Sequence, residues 1–211
     1  MSEAGAALRE PWPDLERQRE GVAFGVWVFL ASEVLFFGGL FLAYGIYRIL
    51  YAQAFVVAAK ETDVFYGTLN TAILLTSSLT MAVAVKASEA GFRRMTLWCL
   101  TMTALLGIAF LAVKGFEYHD DIAKGLFPGP GFPLHPPQTQ IFWAIYWIGT
   151  GVHAVHLIVG IALVSATTAL LYNEHLPLKA TRFEGIALYW HLVDIIWVIL
   201  LPMLYLTGRA I

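Results

Sequence analysis

The sequence predicts an all-α fold, a membrane bundle of five transmembrane helices. Three observations carry this. The 211 residues are 59% apolar and 13% charged, whereas soluble domains average about 45–50% and about 25%. Five segments, near 22–51, 65–88, 94–118, 139–172 and 184–207, are apolar and long enough for a hydrocarbon core of about 30 Å, which takes roughly 20 helical residues. No ten-residue alternation suggests a barrel, and backbone polar groups in lipid must be paired, which leaves helices.

Taken in order, residues 1–20, MSEAGAALREPWPDLERQRE, read as a polar surface arm ahead of one transmembrane domain, 21–211. The arm lacks the basic start and short apolar core of a secretory signal, so insertion is expected to use the first true span. That span, 22–51, exceeds the minimum length and should tilt or project. The second carries Asn70, Thr71, Thr76, Ser77, Ser78 and Thr80, hydroxyls and an amide suited to hold helices together at roughly 0.6–2 kcal/mol each. The third ends in VKGFEYHDDIAKG, where Lys114 and Glu117 are three apart and can pair. Glu117, His119, Asp120 and Asp121 could suggest a metal, but adjacent acids at an interface are expected to be solvated. The proline- and glycine-punctuated connector LFPGPGFPLHPPQ, 126–138, cannot be helical and should lie on the outer surface.

The fourth span contains GTGVHAVHLIVG. His153 and His156 share one side of the helix among Gly149, Gly151 and Gly160. The glycines allow a close helix approach, across which the histidines should hydrogen-bond. A metal would need further ligands. In the last span Glu184, His191 and Asp194 fall at i, i+7 and i+10, one helical stripe. His191 and Asp194 are expected to pair, easing the burial of the acid. Pro202 should kink or end the helix.

Glu33 is the outlier. It lies within GVWVFLASEVLFFGGLFLAYGIY, 25–47, flanked by Phe29, Leu30, Val34, Leu35, Phe36 and Phe37. An acid at bilayer depth costs a few kcal/mol and by default faces protein, water or a partner. Its protonated form is the cheaper one to bury. Two roles stay open on the residues alone: a structural hydrogen bond to a neighbouring helix, or a group that holds or carries a proton.

Composition also excludes. A net charge of −2 gives no case for nucleic-acid binding, and the single Cys99 can form neither an internal disulfide nor a cysteine metal cluster. There is no internal repeat of the kind built into many carriers, no accompanying nucleophile and no glycine-rich phosphate loop. Orientation follows from the basic residues. With the N-terminus inside, Arg9, Arg17, Arg19, Lys86, Arg93, Arg94, Lys179 and Arg182 fall on the inner side, against Arg48, Lys60, Lys114, Lys124 and Arg209 outside, so N-in/C-out is expected.

The runs GVWVFLASEVLFFGGLFLAY, LNTAILLTSSLTMAVAVKA, GFEYHDDI, GTGVHAVHLIVG and FEGIALYWHLVDIIW, in this order, resemble subunit III of haem–copper oxidases. SEVLFF around Glu33 and YWHLVDIIW around His191 are the most specific. The resemblance covers the chain from about residue 20 and is to the five-span bacterial form, which lacks the first two helices of the seven-span one. It implies a non-catalytic accessory subunit of a proton-pumping terminal oxidase in the bacterial cytoplasmic (inner) membrane. Such a subunit binds no haem or copper, packs against catalytic subunit I, and holds structural phospholipids in a cleft. Haems and copper belong to subunits I and II, and cytochrome c meets the complex rather than this chain. Glu33 matches the family's carbodiimide-reactive intramembrane glutamate, which stands outside the pumping route. Glu117, His153, His156, Glu184, His191 and Asp194 match as structural or lipid-associated groups. Where relatives often carry a histidine pair, NEHLPLKATRFEG offers Lys179 and Arg182, suited to a phospholipid headgroup. Glutamate in SEVLFF favours the cytochrome c branch. A quinol oxidase subunit III and the related accessory subunit of nitric oxide reductase systems are the alternatives.

Overall fold

The computed structural model describes residues 14–174 and 180–209. Six helices follow in chain order: α1 Leu15–Leu50, α2 Ala52–Lys60, α3 Val64–Glu89, α4 Arg93–Ala123, α5 Thr139–Tyr172 and α6 Ala180–Tyr205. All but α2 are long and apolar enough to cross a membrane. No strand occurs among the described residues.

The boundaries depart from the predicted ones where capping outweighs hydropathy. α1 begins at Leu15 rather than near 22, because the Asp14 side chain accepts from the Arg17 amide at 2.8 Å and Glu16 occupies the first turn. An oxygen acceptor at the N-cap and an acid beside the helix dipole start a helix without apolar residues. Asp63 does the same for α3, accepting from the Phe65 amide at 2.8 Å. The short α2 escaped prediction because nine residues are too few to register as a span. It buries Ala54, Phe55, Ala58 and Ala59 on one side. Its C-terminus is met from near the far end of the chain, where Arg209 donates to the carbonyls of Ala59 and Lys60 in α2 and of Thr62 just beyond it. α3 turns into α4 through Ala90, Gly91 and Phe92, with Gly91 at φ +78°, a conformation that favours glycine.

Pro202 neither ends nor sharply interrupts α6, which runs on to Tyr205. The loosened end is instead held by neighbours. The hydroxyls of Tyr44 of α1 and Thr207 lie 2.7 Å apart and both within reach of the Met203 carbonyl, so one donates to the carbonyl while the other donates to its fellow hydroxyl.

α3 and α4 form the closest pair, and α5 and α6 complete a four-helix body with them. Among the described residues α1 packs on α2, α5 and α6 alone, and it is the least buried of the five spans. The core is aromatic: Trp143, Trp190, Trp197, Tyr146, Tyr205, Phe37, Phe55, Phe110 and Phe142 are fully buried. Glycines shape its centre. A Cβ at Gly107 would lie 2.9 Å from the Trp190 ring, and one at Gly160 3.2 Å from it, so the indole is clasped between α4 and α5. Gly149 similarly admits Leu40, at 3.0 Å from a would-be Cβ. Gly151 has open space, so only two of the three glycines anticipated as a contact surface serve as one. What they admit is a large side chain rather than a neighbouring backbone.

Candidate functional site

Polar side chains gather at three places within the spans. The first joins α1 to α5. Glu33 Oε2 lies 2.8 Å from His156 Nε2, with the two side chains only 16% and 20% exposed. Phe37 meets the imidazole edge-on at 5.3 Å, and Phe36 lies 6.5 Å from it. The protonation follows from hydrogen counting. His156 Nδ1 is 2.8 Å from the Val152 carbonyl, which can only accept, so Nδ1 carries a hydrogen. A neutral ring then presents a bare Nε2, and Glu33 must donate. If the ring is doubly protonated, Glu33 is a carboxylate. In either form one proton is shared between Nε2 and Oε2. The pair is a one-proton, net-neutral unit at membrane depth, the form that least penalises an intramembrane acid.

The second place is a closed network on α4, α5 and α6. Lys114 is 2% exposed and Glu117 1%. Lys114 Nζ donates to Tyr146 Oη at 3.0 Å and to Tyr205 Oη at 2.7 Å, and forms an ion pair with Glu117 Oε2 at 3.0 Å. Rings of Tyr118, Tyr146, Trp197 and Tyr205 surround the cation at 4.6–5.5 Å, an arrangement that adds cation–π attraction. Tyr205 donates to Glu117 at 2.6 Å. Tyr146 lies 2.7 Å from both Glu117 Oε1 and Asp121 Oδ2. Its single hydroxyl hydrogen is divided between the two carboxyls. The acids expected to be solvated therefore divide. Glu117 and Asp121 are buried, while His119 and Asp120, 3.6 Å apart, stay outside. Lys114, counted as an outer-face charge from the sequence, belongs to the interior.

The third place is the α3/α6 seam. Trp197 donates to Thr71 at 3.1 Å, Trp190 to Ser77 at 3.1 Å, and Ser78 bonds His191 Nδ1 at 2.8 Å. The expected His191–Asp194 pair is not made, because Ser78 from the facing helix takes the imidazole. Asp194 is 3% exposed, and neither carboxyl oxygen has a donor at full hydrogen-bond geometry, although Ser78 faces it. His153 crosses to α6 by donating from Nε2 to the Val193 carbonyl at 3.2 Å. Glu184 is exposed at the start of α6, so the predicted stripe is polar along its length but buried only at Asp194.

Other sequence candidates fall elsewhere. Lys179 lies outside the described residues, and so does the side chain of Arg182. No three His, Cys, Asp or Glu side chains among the described residues converge on a metal-sized site. Tyr146 and Tyr205 were not anticipated as site residues. A signal was available, since Lys114, Glu117 and Asp121 stand at i, i+3 and i+7 on one face of an apolar helix, where charges need buried partners.

The sequence matches the family profile described as cytochrome c oxidase subunit III over residues 16–209. It is 34% identical over 193 residues to a cytochrome c oxidase subunit 3 of Thermostichus vulcanus, covering 88% of this chain and 87% of that one. A heme-copper oxidase subunit I+III of Aeropyrum pernix is 30% identical over 205 residues, 94% of this chain but 24% of that longer protein. A cytochrome bo(3) ubiquinol oxidase subunit 3 of Pseudomonas aeruginosa is 28% identical over 187 residues, 88% of this chain and 84% of that one. With five membrane-length helices and a profile match running almost end to end, this chain is a multi-pass membrane protein belonging to the cytochrome c oxidase subunit III family of haem–copper oxidases.

Proposed function

We propose that the chain is the non-catalytic accessory subunit of a proton-pumping oxidase that takes electrons from cytochrome c and reduces oxygen to water. It stabilises catalytic subunit I, supports proton uptake into it and holds phospholipids. It carries no redox centre; haems and copper reside in subunits I and II. It lies N-in/C-out in the bacterial cytoplasmic membrane, with Lys179 and Arg182 positioned by sequence for a headgroup on the inner side. The relative whose name combines subunits I and III supports adjacency to the catalytic subunit, since one chain there spans both. The likeness to a ubiquinol oxidase subunit keeps a quinol donor as the second reading.

The observation that carries the site reading is the proton shared by Glu33 and His156. A carbodiimide adds to a carboxyl that brings its own proton, and a partly enclosed apolar setting slows competing hydrolysis. Treating membranes with a hydrophobic carbodiimide is expected to place an adduct on Glu33, identified by peptide mass, and Glu33→Gln should abolish it. Labelling that persists in Glu33→Gln would contradict the assignment. Oxygen uptake by the purified complex separates the two donors: reduced cytochrome c is expected to support turnover, and turnover with quinol alone would select the second reading.

A further inference from the structure

Tyrosine and tryptophan are the aromatic side chains that give up one electron most readily, and in this bundle four of them stand in file. The Trp197 ring lies 6.2 Å from that of Tyr205, Tyr205 6.1 Å from Tyr146, and Tyr146 5.9 Å from Trp147, centroid to centroid. The first three are fully buried and Trp147 is half-buried. Along α6, Trp197 is about 21 Å from Phe183 and about 12 Å from Tyr205 at 1.5 Å per residue, so the file starts at hydrocarbon depth. It ends beside the connector after α4, where the Trp147 indole donates to the Leu126 carbonyl at 3.1 Å and meets the Phe127 ring at 5.4 Å. The proposed orientation puts that end outside.

Ring contacts alone are ordinary core packing, and the placing of protons sets these apart. An oxidised phenol is a strong acid. A tyrosine therefore passes on positive charge only where a base within hydrogen-bond reach, about 2.6–3.2 Å, can take its proton. Tyr205 donates to Glu117 Oε1 at 2.6 Å, and Tyr146 lies 2.7 Å from both Glu117 Oε1 and Asp121 Oδ2. Lys114 donates to both phenolic oxygens, which keeps a donor on each after its own hydrogen has left. Other aromatic side chains lack this equipment. Tyr118, 4.4 Å from Trp147, hydrogen-bonds the Thr150 hydroxyl, which is no base. The Trp143 N–H has no acceptor among the described residues, and Trp190 makes no ring pair there.

We propose that Trp197, Tyr205, Tyr146 and Trp147 are a hole-transfer chain that carries one-electron oxidising equivalents from the membrane interior to the outer face, with Glu117 and Asp121 as its proton acceptors. The oxidant is a peroxyl-type radical. The inference rests on the proposed function only for its source, a neighbouring subunit that reduces oxygen. The radical takes an electron from Trp197 and a proton from water and becomes a hydroperoxide. Tyr205 refills Trp197, and its proton moves to Glu117, which leaves a neutral phenoxyl radical. Tyr146 refills Tyr205, which regains its hydrogen from Glu117, while Tyr146 gives its own to Asp121. Trp147 then reduces Tyr146, which recovers its proton, and a water-soluble one-electron reductant restores Trp147. One electron has moved inward and every side-chain proton is back in place. The side chains hold charge only in passing.

The test uses the complex purified in mild detergent, with Cys99→Ser and Phe127→Cys and a ruthenium polypyridyl photo-oxidant attached at the new thiol beside Trp147. After a flash with a sacrificial quencher, electron paramagnetic resonance is expected to show a neutral tyrosyl radical whose hyperfine splitting narrows when the tyrosines are ring-deuterated. Trp147→Phe should lose most of that signal, and Tyr146→Phe combined with Tyr205→Phe should lose all of it. A signal that persists in the double variant lies elsewhere, on Tyr118 for example, and would overturn the chain. Should the double variant not assemble, a fluorotyrosine placed at Tyr146 alone decides the same point: fluorine hyperfine structure is expected, and its absence overturns the proposal. Haem content of the same sample tests the functional reading separately. A radical at Tyr146 in a haem-free complex would remove the source of the oxidant and support the chain, whereas haem without the radical would do the reverse.

Discussion

Replacing Lys114 with methionine is expected to destabilise the chain by about 3–5 kcal/mol, the usual result of stripping one partner from a buried ion pair. Lys114 supplies two hydrogen bonds, to Tyr146 and Tyr205, and an ion pair with Glu117, all inside the bundle. Without it Glu117 remains 1% exposed with no cation beside it, and Asp121 loses the nearby positive charge. Methionine keeps the stem's packing, so the loss isolates the charge. The double change Lys114→Met with Glu117→Leu is expected to recover much of the deficit, because removing both charges also removes their desolvation penalty. Thermal inactivation of the purified complex and the amount of chain in membranes measure both. Additive losses in the double variant would show that the two residues act independently, contrary to the geometry.

Trp190→Ala carries the second large effect. The indole is fully buried, fills the space left by Gly107 and Gly160, and donates to Ser77 at 3.1 Å. Truncating a buried tryptophan typically costs about 3–5 kcal/mol, part from lost transfer energy and part from the cavity. Ser77 would also lose that bond, a net cost of about 1 kcal/mol. Trp190→Phe should fall well short of this, since most of the ring volume is kept. The converse change, Gly107→Leu, forces a side chain into the occupied volume and is expected to cost about 1–3 kcal/mol by overpacking. A melting temperature for Trp190→Ala close to that of the unaltered protein would contradict the clasp.

These two sites show how far the sequence could be read. The five spans were legible because apolar length alone demands helices in lipid. α2 and the early start of α1 were not, because a nine-residue helix and an Asp14 cap leave little hydropathic trace. Lys114 and Glu117 could be paired from their spacing within one helix. Tyr146 and Tyr205 could not, since they reach Lys114 across 32 and 91 residues of chain. The same limit explains His191. Its spacing pointed to Asp194 on its own helix, but Ser78, 113 residues away, offered the better hydrogen-bond geometry. Glu33 was conspicuous by its surroundings, yet its partner His156 lies 123 residues off and only the fold brings it near. Local spacing names which groups need partners, and tertiary packing decides which partners they get.

The most direct test of the account is a reduced-minus-oxidised spectrum of whatever accompanies this chain when it is purified in mild detergent from its native membrane. An a-type haem signal, with oxygen uptake driven by reduced cytochrome c, is the predicted result. A stable complex with no haem, or one with b- and c-type haems that reduces nitric oxide, would contradict it.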